Sequence, residues 1–177
     1  MDLTNLLKQL QNTPQRKDYH PEGDVLTHTL LVLGQALENN EPDELLYTAL
    51  FHDFGKIDTL KYKEDGTPTA FGHEKASLKY AKKFIPINIK RDVLMMIEEH
   101  MRYAILDRMR VSKQEDLLRK LGKLNNYMKK FVIYDNMVLL FSRTTEDERK
   151  LLIFKAIDYI ETFHHGKVYY QTDISKK

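Results

Sequence analysis

Residues 47–56 read YTALFHDFGK, an apolar stretch that closes on a histidine and an aspartate side by side. A buried charge without a partner costs several kcal/mol or shifts its pKa until it is neutral. Any fold that buries this stretch must therefore bring other ionisable groups to His52 and Asp53 from elsewhere in the chain. That requirement constrains the fold more than any other feature of the sequence.

The remainder reads as helices. Gly (7) and Pro (5) are scarce among 177 residues, and a composition led by Leu, Lys and Glu favours helix over a turn-rich β architecture. Val25, Thr29, Val32 and Ala36 mark one face of a first main helix. Leu46, Ala49, Leu50 and Asp53 mark a second, expected to stop at Gly55 in a left-handed terminator. A third is predicted from His73 to Phe84, before Pro86, and a fourth from about Asn88 with Val93, Ile97, Met101 and Ala104 on one stripe. Ser112 with Glu115, and Thr145 with Glu148, have capping-box spacing and predict helices over 113–124 and 146–164. Between them Tyr127, Phe131, Tyr134 and Val138 predict another. Leu3, Leu6, Leu7 and Leu10 predict a short docking helix at the start. In the connector from Ile57 to Gly72, Asp65-Gly66 between Tyr62 and Phe71 suggests a small hairpin or flap. The tail KVYYQTDISKK fits a strand or an ordered coil equally. With no internal repeat, low-complexity tract or linker, the expectation is one all-α domain over 1–177.

On these helices the histidines fall into a pattern. His28 lies three residues after Val25 and four before Val32, and His100 three after Ile97 and four before Ala104, so both face inward. His52 and Asp53 end the second helix, His73 starts the third, and Asp135 lies beside Tyr134 and Val138. Each has a plainer explanation: an inward histidine is often a hydrogen-bonded core residue, Asp53 can cap a neighbouring helix, and Asp158 rivals Asp135. Together they point six polar groups from five segments at one interior space, where a divalent cation would neutralise the carboxylates and accept the imidazole lone pairs.

Composition narrows the chemistry. With no Cys, disulfides, thiolate catalysis and thiolate metal sites are excluded. Lys+Arg 28 against Asp+Glu 26 leaves a net charge of +2, too little for strong duplex nucleic-acid binding, which relies on many phosphate contacts. No long apolar run or basic leader marks a membrane span or signal peptide, so a cytoplasmic location is expected.

The segments HPEGDVLTHTLLVL (20–33), ALFHDFGK (49–56), DGTPTAFGHEKAS (65–77) and EEH (98–100) resemble the HD superfamily of metal-dependent phosphohydrolases, in particular the HD domain carried by bacterial CCA-adding tRNA nucleotidyltransferases. The likeness is strong from 20 to about 84 and weaker beyond, where VIYDNMV (132–138) resembles the segment with the family's final aspartate. It implies an all-α helical bundle in which His28, His52, Asp53 and Asp135 are the core metal ligands. His73 and His100 match the positions that hold a second metal in binuclear members. The 177 residues contain nothing resembling the nucleotidyltransferase head, and Ile57 stands where a proline often follows the HDxGK motif.

Histidine and carboxylate donors without sulfur suit one or two ions of Mn, Fe, Co, Ni or Zn better than Mg. Such an ion would activate water and polarise a phosphoryl oxygen, with Asp53 as the bridging and orienting carboxylate. Lys56 would stabilise phosphoryl charge, a role the resemblance favours over simple complementarity to a helix C-terminus. Arg102 is a candidate phosphate clamp, with an ordinary solvated face as the equal alternative. Lys61, Tyr62 and Lys63 read first as a two-sided surface hairpin and second as a cover for a nucleotide. His20 is expected to shape the approach to the first main helix, and His164 and His165 to close the last. The resemblance implies a phosphomonoesterase or 2′,3′-cyclic phosphodiesterase acting on a small nucleotide or RNA end. The competing expectation is a nonenzymatic metal-stapled module that binds a nucleotide or RNA. Oligomeric state is left open.

Overall fold

The computed structural model describes the backbone of residues 2–173 and the side chains through residue 162. Its helices are α1 (Leu3–Gln11), α2 (Val25–Glu38), α3 (Asp43–Phe51), α4 (Lys56–Thr59), α5 (His73–Phe84), α6 (Lys90–Ala104), α7 (Val111–Leu121), α8 (Asn125–Asp135), α9 (Met137–Arg143) and α10 (Glu146–Asp173). Between α4 and α5 stands a two-stranded antiparallel hairpin, β1 (Lys61–Tyr62) and β2 (Pro68–Thr69), with Lys61 opposite Thr69. The fold is all-α with one short hairpin, as the apolar periodicity and Asp65-Gly66 predict. Gly66 takes a φ of 79°, and the Asp65 carboxylate accepts from Thr67 N at 2.9 Å to close the turn.

Helix α2 is the axis of the bundle. Its sequence VLTHTLLVLGQALE is apolar on nearly every side, which suits a helix surrounded by others, and it packs against α1, α3, α8 and α10. Asp24 caps it, accepting from Thr27 N and Thr27 Oγ1, both at 2.8 Å. The crossing with α10 is close enough that a Cβ on Gly34 would stand 2.3 Å from the Leu152 carbonyl oxygen. A smaller cluster of Met96, Tyr103, Leu117, Leu121, Leu124 and Met128 seats α7 against α6 and α8. Leu3, Leu6 and Leu10 are buried, so the first helix docks as its spacing predicts.

Several local expectations are corrected. Gly55 is not left-handed: its φ is −65°. Glycine is required there by a close approach, because a Cβ would lie 2.1 Å from the His73 carbonyl oxygen and 2.5 Å from Ser77 N. Ser112 does not cap α7, which starts at Val111 after an extended Arg110 with no side-chain cap bond; Ser112 already lies in the first turn. The Thr145–Glu148 box does form, with Thr145 N donating to Glu148 Oε2 at 2.6 Å and Glu148 N to Thr145 Oγ1 at 3.2 Å. The helix predicted through Tyr127 and Val138 is two, broken at Asn136, whose side chain accepts from Leu139 N at 3.3 Å and caps α9. The tail is neither strand nor coil up to Asp173, since α10 continues to that residue. The side chains of His164 and His165 lie outside the described residues.

Candidate metal centre

Two aspartates sit where helices end. Asp53 follows α3 through the His52 cap, and Asp135 is the last residue of α8. The C-terminus of a helix carries partial negative charge, so a carboxylate there is unfavourable unless positive charge compensates it. Both ends point at one interior site, to which α2 contributes His28, α5 its first residue His73, and α6 His100.

The carboxylate of Asp53, 1% exposed, is divided between two groups. Its Oδ2 lies 3.4 Å from His28 Nε2 and 3.3 Å from His52 Nε2, while Oδ1 lies 3.1 Å from His73 Nε2. On the first side Asp135 Oδ1 stands 2.9 Å from His28 Nε2 and 3.2 Å from His52 Nε2. On the second, His73 Nε2 and His100 Nε2 are 3.2 Å apart. His28, His52 and Asp135 thus form one triad and Asp53, His73 and His100 another, each with donor atoms within 4.8 Å of one another. All six residues expected at the site are brought together. Asp158, the rival to Asp135, lies exposed on α10.

The outer nitrogens fix how these rings present themselves. Nδ1 donates to the carbonyl of Ala49 from His52 (2.9 Å), of Ala70 from His73 (2.8 Å) and of Ile97 from His100 (2.7 Å). His28 Nδ1 donates to Glu22 Oε1 at 3.0 Å. A carbonyl or carboxylate oxygen only accepts, so each Nδ1 carries the hydrogen and each neutral ring turns its Nε2 lone pair inward. His28 and His52 then face each other lone pair to lone pair at 3.1 Å, as do His73 and His100. Such contacts are repulsive unless a proton or a cation lies between. These residues fit divalent metal.

The protonation tendencies show the same negative focus. Burial opposes charge on His52, yet Asp53 and Asp135 push its pKa up to about 10. Burial likewise opposes charge on His28, and Asp135 and Glu22 overcome it to raise its pKa. Asp53 and Asp135 stay well below the usual carboxylate range although burial acts to raise them, because the imidazoles, and Lys56 beside Asp53, outweigh it. His100 is driven down to about 3 by burial, then by His52 and His73, which keeps it neutral as a ligand must be.

Ser77 ties the approach together. Its hydroxyl donates to the His52 carbonyl at 2.5 Å and accepts from Gly55 N at 2.8 Å, joining α5 to the turn that carries His52 and Asp53. Lys56 Nζ donates to Asp53 Oδ2 at 2.6 Å and to Gln15 Oε1 at 2.5 Å. A cleft of about 760 Å³ opens over the centre, with Lys56, His73, Asp135 and His20 on its wall. Arg102 is not on that wall: its guanidinium donates to the buried Glu99 at 2.7 Å, which also accepts from Lys120. Glu22 and Gln15 escape sequence reasoning. Glu22 lies within HPEGD, but its contact with His28 spans a turn of irregular backbone that periodicity does not describe; Gln15 carries no local signal.

Residues 25–162 match the HD-domain family. The Multifunctional CCA protein of Paraburkholderia phymatum is 32% identical over 122 residues, covering 63% of this chain and 28% of that protein. The Multifunctional CCA protein of Pasteurella multocida is 42% identical over 77 residues, 41% of this chain and 18% of its own, and that of Acinetobacter baylyi is 36% identical over 98 residues, 52% and 23% respectively. The chain spans less than a third of the length of these relatives. With the matched region enclosing all six converging residues, the chain belongs to the HD-domain family, the superfamily of metal-dependent phosphohydrolases.

Proposed function

We propose that the chain is a phosphohydrolase acting on a nucleotide or RNA-end phosphate, as a phosphomonoesterase or a 2′,3′-cyclic phosphodiesterase. The observation that carries this reading is the Asp53 carboxylate shared between two imidazole groups at the inner end of an open cleft. His28, His52 and Asp135 would hold one ion and His73 and His100 a second, with Asp53 common to both. Nitrogen and oxygen donors favour Mn, Fe, Co, Ni or Zn over Mg. When bound, such a metal supplies Lewis acidity and makes water a nucleophile near neutral pH.

The chain's own groups do the rest. Lys56 holds Asp53 in orientation and places an ammonium on the cleft wall, where it would stabilise charge on phosphoryl oxygens. The four Nδ1 anchors fix the orientation of the rings, so the imidazoles would already be in place to meet a metal. Likeness to proteins named for CCA supports an RNA end as substrate. Arg102, held by Glu99, would reach a phosphate only by leaving that pair. Among the described residues no helix is long and apolar enough to cross a membrane.

Incubating the metal-loaded chain with nucleoside 2′-, 3′-, 5′- and 2′,3′-cyclic phosphates is expected to release phosphate or open the cyclic ester. Asp53→Ala is expected to lose both metal retention and turnover; hydrolysis that survives in this variant refutes the mechanism. A second reading, a nonenzymatic nucleotide- or RNA-binding module, takes support from ligands that stitch together five segments. It predicts that metal raises the melting temperature while the whole panel stays intact.

A further inference from the structure

The cleft over the metal centre does not stand alone. A second hollow of about 560 Å³ adjoins it and shares Pro14, Gln15, Arg16 and Pro68 with its wall. Both are bordered by the 13–19 segment and the hairpin, the first reaching His73 and Asp135 and the second Gly66, and side by side they form a shared trough. That is more room than a single phosphate ester requires.

The walls carry an unusual mixture. Tyr19 (60% exposed) and Phe71 (86%) stand on the inner section, and Tyr62 (61%) on the outer. None of these rings is needed by the core. Cations run alongside them: Lys56 and Lys63 in the inner section, Arg16 in both, Lys17 in the outer. Arg16 is held in place by a bidentate pair with Asp18, through Nε at 3.1 Å and Nη2, and its guanidinium lies 4.8 Å from the Tyr19 ring centre. The acidic groups on these walls are Asp18, already engaged by Arg16, Glu74 beside His73, and Asp135 at the metal centre itself.

Aromatic faces interleaved with a row of cations are what single-stranded nucleic acid sites use, with rings stacking bases and cations tracking the backbone. The row is short, so only a few phosphates are met, in keeping with the chain's net charge of +2. We propose that this trough seats the nucleotides adjoining a terminal phosphate, so that the site takes the end of a single-stranded oligoribonucleotide in preference to a mononucleotide. The proposal rests on the phosphohydrolase reading for its end at the metal centre, but its binding surface is separate from the metal ligands.

The test uses the full chain and a fluorescein-labelled single-stranded hexaribonucleotide ending in a phosphate. Binding is read by anisotropy in chelator, and turnover as the ratio of kcat/KM for the hexamer to that for the mononucleotide. The wild type is expected to bind the hexamer about tenfold or more tighter than the mononucleotide and than a duplex of the same sequence. Tyr62→Ala with Phe71→Ala, and separately Lys17→Glu with Lys63→Glu, are each expected to weaken hexamer binding about tenfold or more and to bring the turnover ratio toward one. All four side chains are exposed, and an unchanged melting temperature excludes misfolding. Equal affinity for hexamer, duplex and mononucleotide, or indifference to both pairs of substitutions, overturns the proposal. Hexamer binding that depends on these residues, with no phosphate released under any metal, upholds the trough and sinks the phosphohydrolase reading instead.

Discussion

Replacing Glu22 with glutamine is expected to weaken divalent metal binding although Glu22 would not itself touch the ion. Its side chain is fully buried, and Oε1 accepts from His28 Nδ1 and contacts His20 Nδ1, both at 3.0 Å. Burial acts to raise its pKa, but the bonds from His20 and His28 hold it down at about 2, against an ordinary 4.5. The carboxylate is therefore an anion whose charge raises the basicity of His28 at the opposite nitrogen. Glutamine keeps the shape and one acceptor but removes that charge. Loss of such outer partners costs about 10- to 100-fold in metal affinity, or about 1.4–2.7 kcal/mol. Because the folded-state pKa is depressed, the contribution of the charge is complete above about 4.5 and is lost only as pH falls toward about 2. The charge that makes His28 a better donor to metal also makes it a better base, so the gap between wild type and Glu22→Gln should be full at about pH 8 and narrow toward about pH 5 as protons compete for the imidazole. Calorimetric titration of metal-free protein with Mn or Zn across this range measures it. Glu22→Ala should add a fold cost of about 1–3 kcal/mol in chelator, because it leaves the buried His28 Nδ1–H without an acceptor. Affinity of Glu22→Gln within twofold of wild type at about pH 8, or a gap that widens as pH falls toward about 5, would refute the reasoning.

Gly55→Ala should destabilise the fold by about 3 kcal/mol in urea denaturation, since the new Cβ would meet His73 O at 2.1 Å and Ser77 N at 2.5 Å, both backbone atoms; the shift of α5 this forces should also carry His73 away and weaken metal binding. Metal at about a hundred times its dissociation constant should stabilise the chain by about 2.7 kcal/mol, read as a higher melting temperature that chelator reverses.

Much of this arrangement is legible in the sequence, for identifiable reasons. Helical period alone places His28 and His100 inward, because both lie three residues from one apolar neighbour and four from another, and the structure buries both. The hairpin is legible because Asp65-Gly66 has a local turn chemistry. What escapes depends on contacts between segments. Gly55 looks like a helix terminator from its neighbours, yet its role is the space it leaves for α5. The break at Asn136 lies within a run whose apolar spacing continues, so periodicity carries straight through it. Glu22 and Gln15 meet His28 and Lys56 only once the 13–24 segment folds back.

The break at Asn136 also explains why Asp135 faces the centre. Had α8 continued, the carboxylate would sit mid-helix with its backbone carbonyl satisfied; instead it shares the negative end of α8, as Asp53 sits just past the negative end of α3. Two helix termini and two carboxylates then converge on four inward nitrogens whose outer hydrogens are already committed to acceptors. One ammonium, Lys56, reaches Asp53, and among the described residues no other lysine or arginine pairs with Asp53 or Asp135. Left with protons alone, the site must charge His52 and His28 against their burial while His100 resists at about 3. A divalent cation held by these residues would remove that conflict. The balance of charge, more than the identity of any single ligand, therefore makes this interior a place for metal.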